Sequence, residues 1–269
     1  PRSTLFPYTT LFRSMDHTGE MTYNKITLSF PGEQENMFRK KYFKDSIVQF
    51  RIAFVILTLL YGIFGILDTL MFPEYAPVFH KIRFAVVIPF LLIVFALSFT
   101  RIFQKIWQIL ILICFVVGGS GIGIMVMHAP ENYSYYGGMM LVFAAGYFFI
   151  KLRFLLASIA GWTTLLIFNL GMIYYAKVSP DILINYNFFY VSANIIGMFA
   201  AYYIEYYARH NFFLNLKLDS EKQHIQEINK NLEKAVYERT QELFLAKEVA
   251  ETNRRSEEHT SELQSPNTI

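Results

Sequence analysis

The residues of this chain best suited to chemistry are ionisable side chains within otherwise apolar stretches. Asp68 lies near the end of one apolar run and Arg83 near the start of the next, while Glu205 precedes Arg209 by one helical turn. A charged group at membrane depth costs about 2.5 to 3.5 kcal/mol, so each requires a partner or a function. We expect Asp68 to pair with Lys81 or Arg83, and Glu205 with Arg209. This favours a structural role for these charges over a proton relay.

Neutral polar residues in the same stretches form a second candidate set. Asn169, Asn187 and Asn194 can hydrogen-bond between helices, and the glycine-rich run 118–123 allows close approach of helix backbones. The alternative is a sensory cavity on the outer face, lined by His128, Tyr133, Tyr135, Tyr136 and a loop over residues 185–187.

The chain lacks the sequence motifs of the common catalytic and metal sites. It contains no His-Glu-x-x-His, no P-loop and no Cys-x-x-Cys. Cys114 is the only cysteine, which excludes a disulfide framework or a cysteine metal cluster within the chain. We therefore predict no catalytic residue, no cofactor site and no metal site here.

The composition is typical of a polytopic membrane protein. Of the 269 residues, 54% are hydrophobic and 17% aromatic, and the net charge is only +3. We expect the lipid bilayer, and not nucleic acid, as a partner. Residues 1–14 and 255–269 resemble translated sequencing adapters and are set aside from the fold, so we expect the gene to continue beyond Arg254.

Apolar segments near the roughly 20 residues needed to cross a bilayer predict an all-α bundle of six transmembrane helices over residues 52–207. The segments are 52–72, 82–99, 107–127, 137–150, 154–176 and 188–207, and the fourth is the weakest on length. A cytoplasmic lead-in, residues 15–51, precedes them as an interfacial amphipathic helix or a solvated basic one. Because Lys and Arg accumulate on cytoplasmic loops, their placement predicts both termini on the cytoplasmic side of a bacterial inner membrane.

Beyond the sixth segment, residues 208–254 carry the heptad pattern of a coiled coil. The predicted seam follows alternating three and four spacing and then shifts by an extra four-residue step, or stutter; it comprises Leu218, Ile225, Ile228, Leu232, Val236 and Leu243. A stutter allows two nearly equivalent packings, as a signalling helix requires. We predict a parallel homodimer; the alternative is a single amphipathic helix lying on the membrane or on its own bundle.

Two family resemblances connect these parts. The membrane part, through residues 61–68, 82–84, 147–154 and 187–205, resembles the six-helix sensor region ahead of bacterial class III adenylate/guanylate cyclases. The exit helix, through Glu238-Arg-Thr-Gln-Glu-Leu243 and Ala246-Lys-Glu-Val-Ala-Glu251, resembles the linker that enters the dimerisation helices of sensor histidine kinases. Diguanylate cyclases use similar linkers.

These resemblances imply a signalling protein whose catalytic domain lies outside this sequence. We expect the membrane input and dimerisation region of a histidine kinase of a two-component system, which would reach a response regulator only through that further domain. A nucleotide cyclase is the first alternative, and a small membrane transporter or channel is the second.

Overall fold

The computed structural model of the protein describes residues 21–129 and 135–263, and within these ranges it contains helices and no strand. The helices are α1 (Glu33–Met71), α2 (Ala76–Leu97), α3 (Phe103–His128), α4 (Tyr136–Phe149), α5 (Phe154–Ala176) and α6 (Pro180–Leu263). The predicted all-α fold is confirmed. The segment 1–14 lies outside the described residues, as do Tyr133 and the end of the segment 255–269.

Five of these helices, α1, α2, α3, α5 and α6, are long and apolar enough to cross a membrane. Helix α4 is apolar but shorter, and at 1.5 Å per residue it rises only about 20 Å. The hydrocarbon core is roughly 30 Å thick. The prediction of six crossings therefore rests on whether α4 and its flanking residues traverse the bilayer together.

Helix α1 joins the predicted lead-in and the first predicted span into one element. Its buried face includes Phe38, Tyr42, Phe50 and Phe54, at spacings of four and eight residues that place them on one side of a helix. The basic N-terminal turns therefore pack along the bundle through their aromatic side chains, and Lys40 and Lys41 lie outside that face.

Helix α2 contains a wider turn around Arg83. The segment Lys81–Val87 is π-helical, and the backbone N–H of Ile88 donates to the carbonyl of Arg83 five residues earlier. Pro89 follows directly; it has no N–H to offer the carbonyl four residues before it, and its ring crowds that turn. The widened turn therefore lies where proline disturbs the regular helical ladder, and it carries a buried arginine.

The predicted loop before the last span is wrong. Helix α6 begins at Pro180, so residues 180–187 are helical. The last helix therefore begins eight residues before the start of the predicted sixth segment. Proline is favoured at the first helical position, where its missing N–H has no partner to lose, and Asp181 lies favourably in the first turn. These start signals outweigh the polar character of the segment.

The chain divides into two compact units between Phe212 and Phe213. The second unit continues α6. Apart from a few residues between 213 and 220, its side chains are exposed up to residue 256, the last whose side chain is described. Its exposed apolar residues include every predicted seam position: Leu218, Ile225, Ile228, Leu232, Val236 and Leu243. The predicted boundaries 208 and 254 stay predictions.

Close contact between α3 and α5 depends on a glycine. A Cβ atom added at Gly119 would lie 2.4 Å from Cγ2 of Thr164, whereas one added at the neighbouring Gly118 would meet nothing within 4 Å. Threonine is β-branched and its rotamer is restricted in a helix, so the α5 side chain cannot simply turn away.

We expect Gly119→Ala to destabilise the bundle by about 1 to 3 kcal/mol, because it overpacks the α3–α5 contact. Thermal unfolding in detergent or nanodiscs measures this. Gly118→Ala is the matched control and should leave the midpoint unchanged or raise it. The double variant Gly119→Ala/Thr164→Ser should recover most of the loss; equal midpoints for the two alanine variants would contradict the contact.

Candidate functional site

The bundle buries an ion pair between α1 and α2. Arg83 donates from Nε to Oδ2 of Asp68 at 3.0 Å and from Nη2 to Oδ1 at 3.1 Å. Both side chains are 1% exposed or less. This two-pronged geometry suits the planar guanidinium and holds the end of α1 against the start of α2.

Further groups complete this cluster, which we name the Asp68–Arg83 cluster. Arg83 Nη1 donates to the backbone carbonyl of Tyr61 at 2.6 Å, and Nη2 donates to the hydroxyl of Tyr135 at 2.7 Å. The Tyr135 hydroxyl in turn donates to Asp68, and Met125 of α3 lies against both Arg83 and Tyr135. The cluster thus joins α1, α2, α3 and the residue before α4, and its formal charges cancel.

A second buried cluster forms around Arg209, which is 1% exposed. Its Nε donates to Oε1 of Glu205 at 2.9 Å, and its Nη1 donates to Oε2 of Glu35 at 2.6 Å. The guanidinium also lies 4.1 Å from the ring centroid of Phe38, in cation–π geometry. One side chain of α6 is therefore bonded to α1 as well as to its own helix.

The same carboxylates reach the start of α5, completing what we name the Glu205–Arg209 cluster. Arg153 donates from Nη1 to Oε1 of Glu35 at 3.0 Å, and the backbone N–H of Phe154 donates to Oε2 of Glu205 at 2.7 Å. Phe154 is the first residue of α5, whose unpaired N–H groups attract a negative charge. Glu205 therefore caps α5 from α6.

The Glu35 carboxyl, which precedes the first predicted span, is electrostatically perturbed. Its burial alone would raise the pKa, but hydrogen bonds from Arg209 and Arg39 and the charge of Arg209 outweigh burial and lower the pKa of Glu35 to about 2. Burial lowers the pKa of Arg153, and the carboxylate of Glu205 acts against that shift. The carboxyl of Glu35 is therefore ionised at neutral pH.

The asparagines form two further contacts between helices. Asn169 of α5 and Asn187 of α6 exchange reciprocal side-chain hydrogen bonds of 3.0 and 2.6 Å. Asn194 accepts a hydrogen bond from the Tyr147 hydroxyl of α4. These amides act as helix-packing contacts in this structure.

The sensory cavity predicted around His128 stays a prediction, because Tyr133 lies outside the described residues. The ring of His128 packs against Phe79 and Tyr175, and its Nδ1 lies 2.8 Å from the carbonyl oxygen of Ile124. Tyr135 belongs to the Asp68–Arg83 cluster, and residues 185–187 belong to helix α6. No group of three His, Cys, Asp or Glu among the described residues is arranged to hold a metal ion.

Sequence reasoning missed Glu35 and Arg153 as members of a site. Glu35 is an acidic residue four positions before a basic run, and Arg153 directly precedes an apolar one. Both patterns are common on solvated loops, so neither marks a buried contact. Their partners lie 174 and 118 residues away along the chain.

Comparison with protein families places most of the bundle within one known domain. The MASE8 family model matches residues 66–219, which is more than half of the chain. The matched range includes Asp68, Arg83, Glu205 and Arg209, and Glu35 lies outside it. No curated protein matches the sequence.

We expect Arg83→Met to destabilise the bundle by about 3 to 5 kcal/mol, because it leaves the Asp68 carboxylate buried without its partner. Unfolding in detergent, followed by circular dichroism, measures the loss. Lys81→Met, at an exposed position in the same π-helical turn, is the control and should change little. The double variant Asp68→Leu/Arg83→Met should recover most of the stability. If it does not, the ion pair does more than hold α1 against α2.

The lowered pKa of Glu35 predicts an acid-sensitive contribution to stability. The ionised carboxylate stabilises the folded state above its unfolded pKa of about 4.5, and this contribution is lost as the pH falls towards about 2. Comparing the pH dependence of unfolding in the wild type and in Glu35→Gln measures it, because the variant lacks the titrating group. Glu33→Gln, an exposed position in the same turn, should follow the wild type. Identical curves for Glu35→Gln and the wild type would contradict the assignment.

Proposed function

Because this chain belongs to the MASE8 family of membrane-associated sensor domains, we propose that it is the membrane input and dimerisation region of a bacterial sensor histidine kinase. The bundle receives a stimulus at or within the membrane. The part of α6 after Phe212 transmits it to an output domain of the longer protein.

The observation that carries this proposal is the position of Arg209. It lies on α6, four residues before the second unit begins, and its guanidinium is bonded to Glu35 of α1 and to Glu205, which caps α5. A rearrangement of α1 or α5 must therefore either carry Arg209 along or break a buried ion pair. Such an element has two discrete arrangements, which is what a switch requires.

The two clusters support the predicted topology. The Glu205–Arg209 cluster joins α1, the turn before α5 and the end of the last apolar segment of α6, so these three segments lie at one end of the bundle. Along α3, Gln108 bonds to Arg153 near this cluster and Met125 contacts the other one, 17 residues away. That separation is about 25 Å of helix, close to the thickness of a bilayer core.

Helix α4 also lies between the two clusters. Tyr135 is bonded into the Asp68–Arg83 cluster, while the carbonyl of Lys151 accepts hydrogen bonds from Tyr42 and Gln108 near the other end. This placement supports six crossings, which put both termini on one side of the membrane, and the distribution of Lys and Arg favours the cytoplasmic side of the inner membrane. Cytoplasmic termini would place the linker where an output domain has access to nucleotide and to a response regulator.

The second unit supports a parallel homodimer. The seam residues at its centre, Ile225, Ile228 and Leu232, are 55, 51 and 61% exposed in the single chain. Apolar side chains with three and four spacing on a charged helix are typical of a two-stranded coiled coil, in which a second copy covers them. The stuttered shift to Val236 and Leu243 provides an alternative packing register.

The histidine kinase is preferred over a cyclase because of the linker residues 238–251, which resemble the entry to kinase dimerisation helices. An adenylate/guanylate or diguanylate cyclase is the alternative, since the membrane part resembles the sensor region of the former and the linker resembles that of the latter. Sequencing the gene beyond Arg254 distinguishes them. A Ser-His-Glu-type box a few turns further on supports the kinase, and a cyclase domain in that place overturns it.

We expect single cysteines at Ile225 and Ile228, introduced into a Cys114→Ser background, to form disulfide-linked dimers in native membranes. Facing seam positions of a parallel dimer bring the Cα atoms within the roughly 4.4 to 6.8 Å that a disulfide needs. Lys230→Cys, on the opposite side of the helix, is the matched control and should crosslink much less. Equal crosslinking at all three positions, or none at the two seam positions, would remove the dimeric linker from the proposal.

A further inference from the structure

The bundle contains a cavity of about 130 Å³. Its walls come from α1, α2, α3 and α4 and are mostly apolar, as at Phe54, Leu57 and Ile122. Tyr61, Arg83 and Tyr135 also line it. Arg83 and Tyr135 belong to the Asp68–Arg83 cluster and form a polar end of the cavity, whereas the Tyr61 hydroxyl donates to the carbonyl of Gly118 at 3.4 Å. Apolar walls with a few grouped polar side chains are typical of sites for small molecules.

Gly118 shows where this cavity meets α3. It is buried and lines the cavity, yet a Cβ atom added there would meet nothing within 4 Å. The same atom added at Gly119 or Gly121 would lie 2.4 or 2.7 Å from a neighbouring side chain. The free space inside the bundle therefore reaches the backbone of α3 at Gly118.

The cavity opens towards the lipid. Leu60, Leu67 and Leu141 line it and are also 40, 40 and 48% exposed on the outside of apolar helices α1 and α4. Such surfaces are covered by hydrocarbon in a bilayer. A ligand that enters between α1 and α4 would come from the membrane and would carry an apolar tail.

The polar end selects against charge. Arg83 is bonded twice to Asp68, so its positive charge is already neutralised inside the bundle. An anionic head would meet no net positive charge and would have to compete with Asp68, whereas a neutral hydroxyl can donate to the oxygen of Tyr135, whose own proton is bonded to Asp68, without the cost of desolvating an ion.

From the cavity, the free space at Gly118 and the paired charge of Arg83, we propose that the protein binds a neutral single-chain amphiphile, with a hydroxyl head and a hydrocarbon tail, that enters from the bilayer. Its head lies near Tyr135, and its tail passes Gly118. This inference rests on the proposed sensory function and names the chemical class of its stimulus.

Photolabelling in phosphatidylcholine nanodiscs tests the proposal, with decanol carrying a diazirine on its tail as the probe. We expect label on peptides of α1, α3 and α4 that line the cavity, and loss of that label when unlabelled decanol is added in excess. Decanoate at the same concentration should displace much less. Equal displacement by decanoate would overturn the neutral head group.

Variants at two glycines provide the matched comparison. Gly118→Leu should abolish labelling by filling the cavity, and the smaller Gly118→Ala should reduce it while folding normally. Gly137→Leu is the control, because a Cβ there also meets nothing within 4 Å and Gly137 does not line the cavity. Wild-type labelling of Gly118→Ala and Gly118→Leu would overturn the site; if the leucine variant does not fold, the alanine variant decides.

Two further outcomes separate the alternatives. If a diazirine phosphatidylcholine labels the same peptides and decanol does not displace it, the cavity holds a bilayer lipid chain and the proposal is overturned. Crosslinking at Ile225 and Ile228 does not depend on any ligand. If the cysteines crosslink but no photolabelling occurs, only the amphiphile proposal is rejected. If the cysteines do not crosslink, the dimeric signalling linker is rejected, whether or not decanol binds.

Discussion

An arginine inside an apolar bundle has to be bonded to a carboxylate, and this requirement fixes the relative positions of the helices in the first unit. Arg83 and Arg209 are both essentially inaccessible to solvent, and each is bonded to one or more carboxylates on other elements. Desolvation of an unpaired guanidinium would cost several kcal/mol. The helices that supply the partners can therefore move only in ways that keep the pairs together or exchange them.

The two clusters differ in what they hold. The Asp68–Arg83 cluster joins the end of α1 to the start of α2 and closes one end of the cavity. The Glu205–Arg209 cluster joins segments that are far apart in sequence and lies where α6 leaves the bundle. The first thus belongs to the region that would bind a ligand, and the second to the region that would pass a change onward.

How far the sequence predicts this structure depends on the distance between partners. Glu205 and Arg209 are four residues apart on one helix, and Asp68 and Arg83 flank a short connection, so periodicity and apolar patterning suffice to propose those pairs. The partnership of Glu35 with Arg209 depends on how α1 packs against α6, which no local pattern encodes. The cavity is likewise invisible in the sequence, because Gly118 differs from Gly119 only in what faces it.

The cap that Glu205 provides for α5 has a consequence for how α6 can move. Its Oε2 accepts from the backbone N–H of Phe154 in α5, and Arg209 on the same helix donates to Glu35 of α1, so both contacts depend on one rotational setting of α6. A turn of the helix by a single residue, about 100°, would remove both contacts together. Rotation of α6 at the end of its apolar segment should therefore occur in discrete steps between defined positions, and not continuously.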